Sequence, residues 1–153
     1  MSFFFSQQEL ETKRTGKRGL RNASTTKQNA QTLQRLGCAA CPLNTADVDT
    51  PKMKPTLAKQ TSVYFLAEAP GRHEDEESHQ PLTGPSGELL RSVIPEGEEA
   101  YCSFDNVVRD RPPKNRTPTW NEIECCRGHV TKSIESAKPH LIVGLGAISL
   151  SWM

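Results

Sequence analysis

Past residue 62 the chain alternates between short β-rich apolar runs and stretches of helical periodicity, which confines it to a narrow set of folds. Residues 62–67 (Ser-Val-Tyr-Phe-Leu-Ala) read as a buried strand, 101–108 as a second and 140–144 (His-Leu-Ile-Val-Gly) as a third. Between them, 87–94 reads as a helix stopped by Pro95. Thr119 and Glu122 have capping-box spacing, and the helix they start places Ile123, Cys126, Val130 and Ile134 at helical intervals before Pro139. Residues 147–153 begin another helix. Strands alternating with helices pack as a mostly parallel sheet covered on both faces, so the expected class is α/β, three-layer αβα with a short sheet. Ligands of such sheets bind beyond the carboxyl ends of the strands. That rule singles out the loops after Leu66, Val108 and Val143.

The N-terminal part has a different character. Residues 1–37 carry seven basic and two acidic side chains, a net of +5 that leaves −4 for the remainder of a chain whose total is +1. Residues 12–26 show neither helical nor strand periodicity and too little apolar surface to offset their ordering entropy. Residues 1–28 are therefore expected as a mobile basic arm and 29–153 as the folded domain. The arm is either a solvated tail or a source of salt-sensitive phosphate attraction. Composition agrees with a chain that is not all core: 35% of residues are hydrophobic, and the 10 glycines bring this to about 41%, under the roughly 45–50% of an average globular chain. No apolar run approaches the ~20 residues of a membrane span, and the three phenylalanines after Ser2 lack a preceding basic residue. A cytoplasmic protein with no membrane partner is expected. Five cysteines at uneven spacing then read as metal ligands or buried thiols rather than a disulfide framework.

Three segments carry candidate chemistry. The first loop, Ala67-Glu68-Ala69-Pro70-Gly71 through Glu77, holds five carboxylates within ten positions. It is either a solvated acidic loop or a place where Glu68, at a strand end, orients a water or stabilises positive charge. The second loop carries Arg109, Arg111, Lys114 and Arg116 on a proline-stiffened segment suited to phosphate contacts, with Asn106 placed to offer an amide to a base edge. Cys38-Ala39-Ala40-Cys41 is a two-thiolate half-site compatible with zinc, iron–sulfur or redox roles. It precedes the first strand and ends in Pro42, which favours metal over redox chemistry.

Taken together and in order, these segments resemble the iron–sulfur, family 4 type of uracil-DNA glycosylase. The resemblance rests on Cys38-Ala39-Ala40-Cys41-Pro42-Leu43, Ala67-Glu68-Ala69-Pro70-Gly71 with Glu74-Asp75, residues 80–90 beginning Gln80-Pro81-Leu82-Thr83-Gly84, Asn106-Val107-Val108 through Pro118, and residues 122–127 with Cys125-Cys126. It implies excision of uracil from DNA by hydrolysis of the base–sugar bond after the nucleotide is flipped out. Glu68 would then hold the attacking water and the cationic sugar, and Asn106 would read the uracil edge. Ala67, Ala69, Gly71, Glu74 and Leu82 would line the base pocket, and Arg109, Arg111, Lys114 and Arg116 would grip DNA. The family's [4Fe–4S] cluster would fall to Cys38, Cys41 and Cys126, with Asp110 where the third cysteine is expected and Cys102 or Cys125 as substitutes. Cys125 would point about 100° away from Cys126 on a helix.

The chain also departs from that pattern. Leu82 replaces a stacking phenylalanine, and Ala67 a glycine. Family members continue past the segment here at 144–147 to a further strand and a His-Pro-Ser motif, whereas His73, His79, His129 and His140 all lie upstream. The expectation is a fold lacking its last strand and helix, and a chain that alone is a poor glycosylase or none. The alternative expectation is a non-catalytic, glycosylase-derived DNA-binding module associated with a phage replication polymerase, since glycosylase-like domains of that kind resemble Thr50-Pro51-Lys52-Met53 too. Partners implied are uracil-containing DNA and replication or repair proteins, with the chain itself a monomer in a bacterial or phage-infected cell.

Overall fold

The computed structural model describes residues 23–153, with side chains from residue 29 onward. Residues 1–22, most of the expected basic arm, lie outside the described residues. Helix α1 spans Ala23–Leu36, so the expected boundary at 28 falls inside a helix rather than before one.

Three parallel strands form the sheet: β1 (Val63–Ala67), β2 (Cys102–Asn106) and β3 (Leu141–Gly144), in the order β2-β1-β3. The central strand sets the register, with Val63 opposite both Cys102 and Leu141, and Ala67 opposite Asn106. All three strands therefore end at one edge of the sheet. On the outer side of β2, Thr56 and Phe104 exchange backbone hydrogen bonds of 2.9 Å each, which covers part of that edge. The second strand stops at Asn106, two residues short of expectation. Val107 and Val108 turn across the sheet's end instead, where their N–H groups donate to Ala67 and Glu68 carbonyls and their side chains are fully buried.

Side-chain alternation divides the core. Leu66 packs with Val107, Val108, Ile123 and Val130, together with Cys41, Leu43, Cys125 and Cys126. Ala67, Cys102 and Phe104 pack with Leu82 and, at its margin, Val63, Phe65, Leu90 and Ile94. The first cluster is covered by α3 (Trp120–Ala137), the second by α2 (Pro85–Ser92), as a helix-covered parallel sheet requires. The capping box starting α3 is present in both directions: Glu122 N–H donates to Thr119 Oγ1 at 3.4 Å and Thr119 N–H to Glu122 Oε2 at 2.7 Å. A short helix, α4 (Ala147–Trp152), follows β3. Among the described residues no helix is long and apolar enough to cross a membrane.

Candidate active site

The common edge of the strands opens into a pocket of ≈ 1070 Å³, at the upper end of the range for small-ligand clefts. Its wall includes Ala67 from the end of β1, Glu68, Ala69 and Gly71 from the loop after it, Leu82 from the next loop, and Asn106 from the end of β2. Parallel pairing brings Glu68 and Asn106 together, because Glu68 directly follows the residue that faces Asn106 across the sheet. Glu68 is half-buried, and its carboxylate has no hydrogen-bond or ion-pair partner among the described residues. Asn106 is only 3% exposed, and its side-chain amide likewise makes no hydrogen bond among the described residues. What exposure it has lies on the pocket wall, so the amide is available to a ligand there.

Glu74 lines the same wall. Its Oε1 accepts Gly84 N–H at 2.9 Å and its Oε2 accepts Gly71 N–H at 3.2 Å, so the carboxylate also clamps two pocket loops together. Glu74 begins a single wide π-type turn, Glu74–Ser78, of the sort that recurs at functional sites. Leu82 adopts a left-handed backbone, φ 56°, unusual for a bulky residue. A Cβ at Gly87 would stand 1.9 Å from the Leu82 carbonyl oxygen, so this close approach needs glycine. Arg72, His73, Leu89, Val93 and Leu145 also line the pocket and were not anticipated. The loop positions of Arg72 and His73 were the available signal; Leu89 and Val93 are helix-side residues whose role depends on packing.

The basic loop departs from expectation. Arg109 turns inward: its Nη2 donates to Asp105 Oδ2 at 2.8 Å and to Ser133 Oγ at 2.7 Å, which occupies its guanidinium inside the protein. The Tyr64 hydroxyl donates to the same Asp105 oxygen at 2.9 Å. Burial pushes the Asp105 carboxyl up against the opposing pull of Arg109, and burial with Asp105 alongside raises Tyr64. Arg111 donates to Glu76 Oε1 at 2.6 Å and to Asn115 Oδ1 at 2.6 Å, and lies 3.5 Å from Asp75. Arg116 makes a two-pronged pair with Glu122, at 2.6 and 2.9 Å. Lys114 is exposed and has no ion pair among the described residues. Charge count on the loop did not reveal these pairings, since their carboxylates come from other segments.

At the far side of the loop lie the cysteines. Cys38 and Cys41 sit on tight turns after α1, and the Cys38 sulfur is 3.5 Å from His129 Nε2. Cys125, adjacent to Cys126 on α3, packs beside the Cys41 thiol. Burial pushes Cys125 up to about 11 and Cys126 up to about 12, with neighbouring thiols adding to both. Cys102 belongs to the opposite core cluster, where its thiol donates to the Glu98 carbonyl, and it cannot substitute here. Asp110 is 4% exposed and its Oδ1 accepts Lys52 N–H at 2.7 Å. Among the described residues no three His, Cys, Asp or Glu side chains form a metal-binding group. As placed, Cys38, Cys41, Cys126 and Asp110 do not form the [4Fe–4S] site implied by the resemblance: position 110 offers a hard carboxylate whose Oδ1 already accepts the Lys52 N–H, and the substitute thiol Cys125 packs among Cys41, Cys126 and apolar side chains.

The profile of the uracil DNA glycosylase superfamily matches residues 55–153, which hold all three strands and the whole pocket. The chain belongs to this superfamily. Among relatives of this superfamily member, the type-4 uracil-DNA glycosylase of Saccharolobus solfataricus is 38% identical over 99 residues, covering 61% of this chain and 44% of the relative. The type-4 uracil-DNA glycosylase of Thermotoga maritima is 37% identical over 119 residues, covering 75% and 59%. The chain thus spans about half the length of these relatives. A more distant match is the DNA polymerase of Bacillus phage SP01, 28% identical over 117 residues, 72% of this chain and 12% of the polymerase.

Proposed function

We propose that the pocket excises uracil from DNA by hydrolysing its N-glycosidic bond. The observation that carries this reading is the pairing, at adjacent strand ends, of two uncommitted groups: the Glu68 carboxylate and the Asn106 amide. An amide both donates and accepts, matching the uracil edge and mismatching that of cytosine. The type-4 relatives, named for uracil-DNA glycosylase activity, support the same substrate.

The mechanism follows from these groups. A nucleotide rotated out of the stack places its base against Asn106 and Leu82. As the base–sugar bond breaks, its electron pair leaves with the base and positive charge grows on the sugar, which the Glu68 carboxylate stabilises. Glu68 also orients a water, whose oxygen bonds to the sugar carbon while its proton passes to the carboxylate. Asn106 donates to the base oxygen on which negative charge develops. Lys114 and the half-exposed Arg116, with Arg72 at the pocket mouth, are the cations offered to DNA phosphates.

Uracil release from a single-stranded oligonucleotide carrying one deoxyuridine tests this. Glu68→Gln is expected to slow release by about 10²–10⁴-fold, and Asn106→Ala by about 10²–10³-fold. Release unaffected by both substitutions would refute the assignment. The match to a phage DNA polymerase favours one other reading, a non-catalytic DNA-binding module; wild-type protein that binds the oligonucleotide without releasing uracil would establish it in place of the glycosylase.

A further inference from the structure

The two loops bearing Glu68 and Asn106 have to be held in register, and the residues expected to hold a bracing metal cluster do not form one. A segment with no role in the pocket lies between these loops. Residues 50–53 (Thr-Pro-Lys-Met) are fastened at both ends by buried carboxylates. At one end, Thr50 N–H donates to Asp75 Oδ1 at 2.9 Å and Thr50 Oγ1 donates to the Asp75 carbonyl at 2.6 Å. Asp75 is 2% exposed and belongs to the wide turn that carries the Glu74 clamp. At the other end, Lys52 N–H donates to Asp110 Oδ1 at 2.7 Å and Met53 N–H to the Arg109 carbonyl at 2.9 Å. Met53 is buried, and Lys52 is held in a left-handed backbone, φ 53°. A non-glycine residue persists in that region only when its surroundings over-determine it.

We infer that residues 50–53 form a metal-free strap, with Asp110 as its latch, and that this strap rather than an iron–sulfur cluster holds the two pocket loops in register. Asp110 is then a positioning residue. A buried carboxylate needs partners, and a backbone N–H is one that it accepts strongly. Cys41, Cys125 and Cys126 act as small apolar fillers beside Leu66, Val107 and Val108.

The test uses the full chain produced in iron-replete cells, with iron and sulfide analysis, thermal melting with and without a strong iron chelator, and amide hydrogen exchange. Iron-free protein with a melting temperature indifferent to the chelator is expected. Asp110→Ala should lower the midpoint by about 4–8 °C and speed exchange of the Lys52 amide at least about tenfold, while β1 amides keep their protection. Asp110→Asn, whose side-chain oxygen still accepts that N–H, should recover most of both losses. Near-stoichiometric cluster iron whose removal unfolds the chain would overturn the inference, as would an Asn variant no better than Ala. These readouts do not involve uracil release, so the strap and the glycosylase reading stand or fall separately.

Discussion

Removing the Glu74 carboxylate tests how the pocket is built. Its two oxygens accept backbone N–H groups from Gly71 and Gly84, which sit on separate pocket loops. Hydrogen bonds to a charged acceptor contribute roughly 1.5–3 kcal/mol each. The side chain is half-buried and water can reach part of the site, so Glu74→Ala is expected to cost about 2–4 kcal/mol in total rather than the upper sum. Glu74→Gln keeps one acceptor oxygen and turns an NH₂ toward the other donor, so it should cost about half as much. Urea denaturation followed by circular dichroism measures both, with an unchanged slope showing that the denatured state is not the cause. A clamp also predicts loss of turnover through misplacement of Glu68, about 10²-fold for a shift of 1 Å. Glu74→Ala within 0.5 kcal/mol of wild type, the scale of about ±0.5 kcal/mol typical of neutral surface changes, would refute the clamp.

Gly87→Ala sets a methyl against the Leu82 carbonyl at 1.9 Å and should destabilise by about 3 kcal/mol or more, as judged by melting, because backbone on both sides must move. Arg109→Leu strands the buried Asp105 carboxylate and should cost about 3–5 kcal/mol of stability, whereas Lys114→Ala should leave stability unchanged and reduce the salt dependence of oligonucleotide binding by roughly one phosphate contact. Burial alone would raise Glu122, but Arg116 and the Thr119 backbone outweigh it and hold the carboxyl below its ordinary value. Its contribution is thus fully present above the unfolded glutamate pKa of about 4.3 and is lost as pH falls through the lower folded value; Glu122→Gln should flatten this acid limb in a pH series of urea midpoints.

Much of the scaffold was legible from local pattern. The runs at 63–67, 102–106 and 141–144 are apolar and β-rich, the Thr119–Glu122 spacing encodes a cap, and both are decided within a few residues. The ligand rule for parallel sheets then placed Glu68 and Asn106 at one edge, where the register does pair their strand ends. On the basic loop, a count of cations carries no information about where their intramolecular partners lie. Arg109 finds Asp105 four positions away on the preceding strand, while Arg111 finds Glu76 across 35 positions.

The sequence alone thus determined the order of elements, the parallel sheet they imply and the two groups at its carboxyl edge, since periodicity, caps and strand ends are short-range properties. Only the tertiary structure decided which charges are spent inside the protein. It committed Glu74 to two glycine amides and Arg109 to the core, packed Cys125 beside Cys41, and made Asp110 the latch of residues 50–53. A buried polar group takes whichever partner folding brings within hydrogen-bond reach, whether it lies a few positions away, as Asp105 does from Arg109, or 58, as Lys52 does from Asp110.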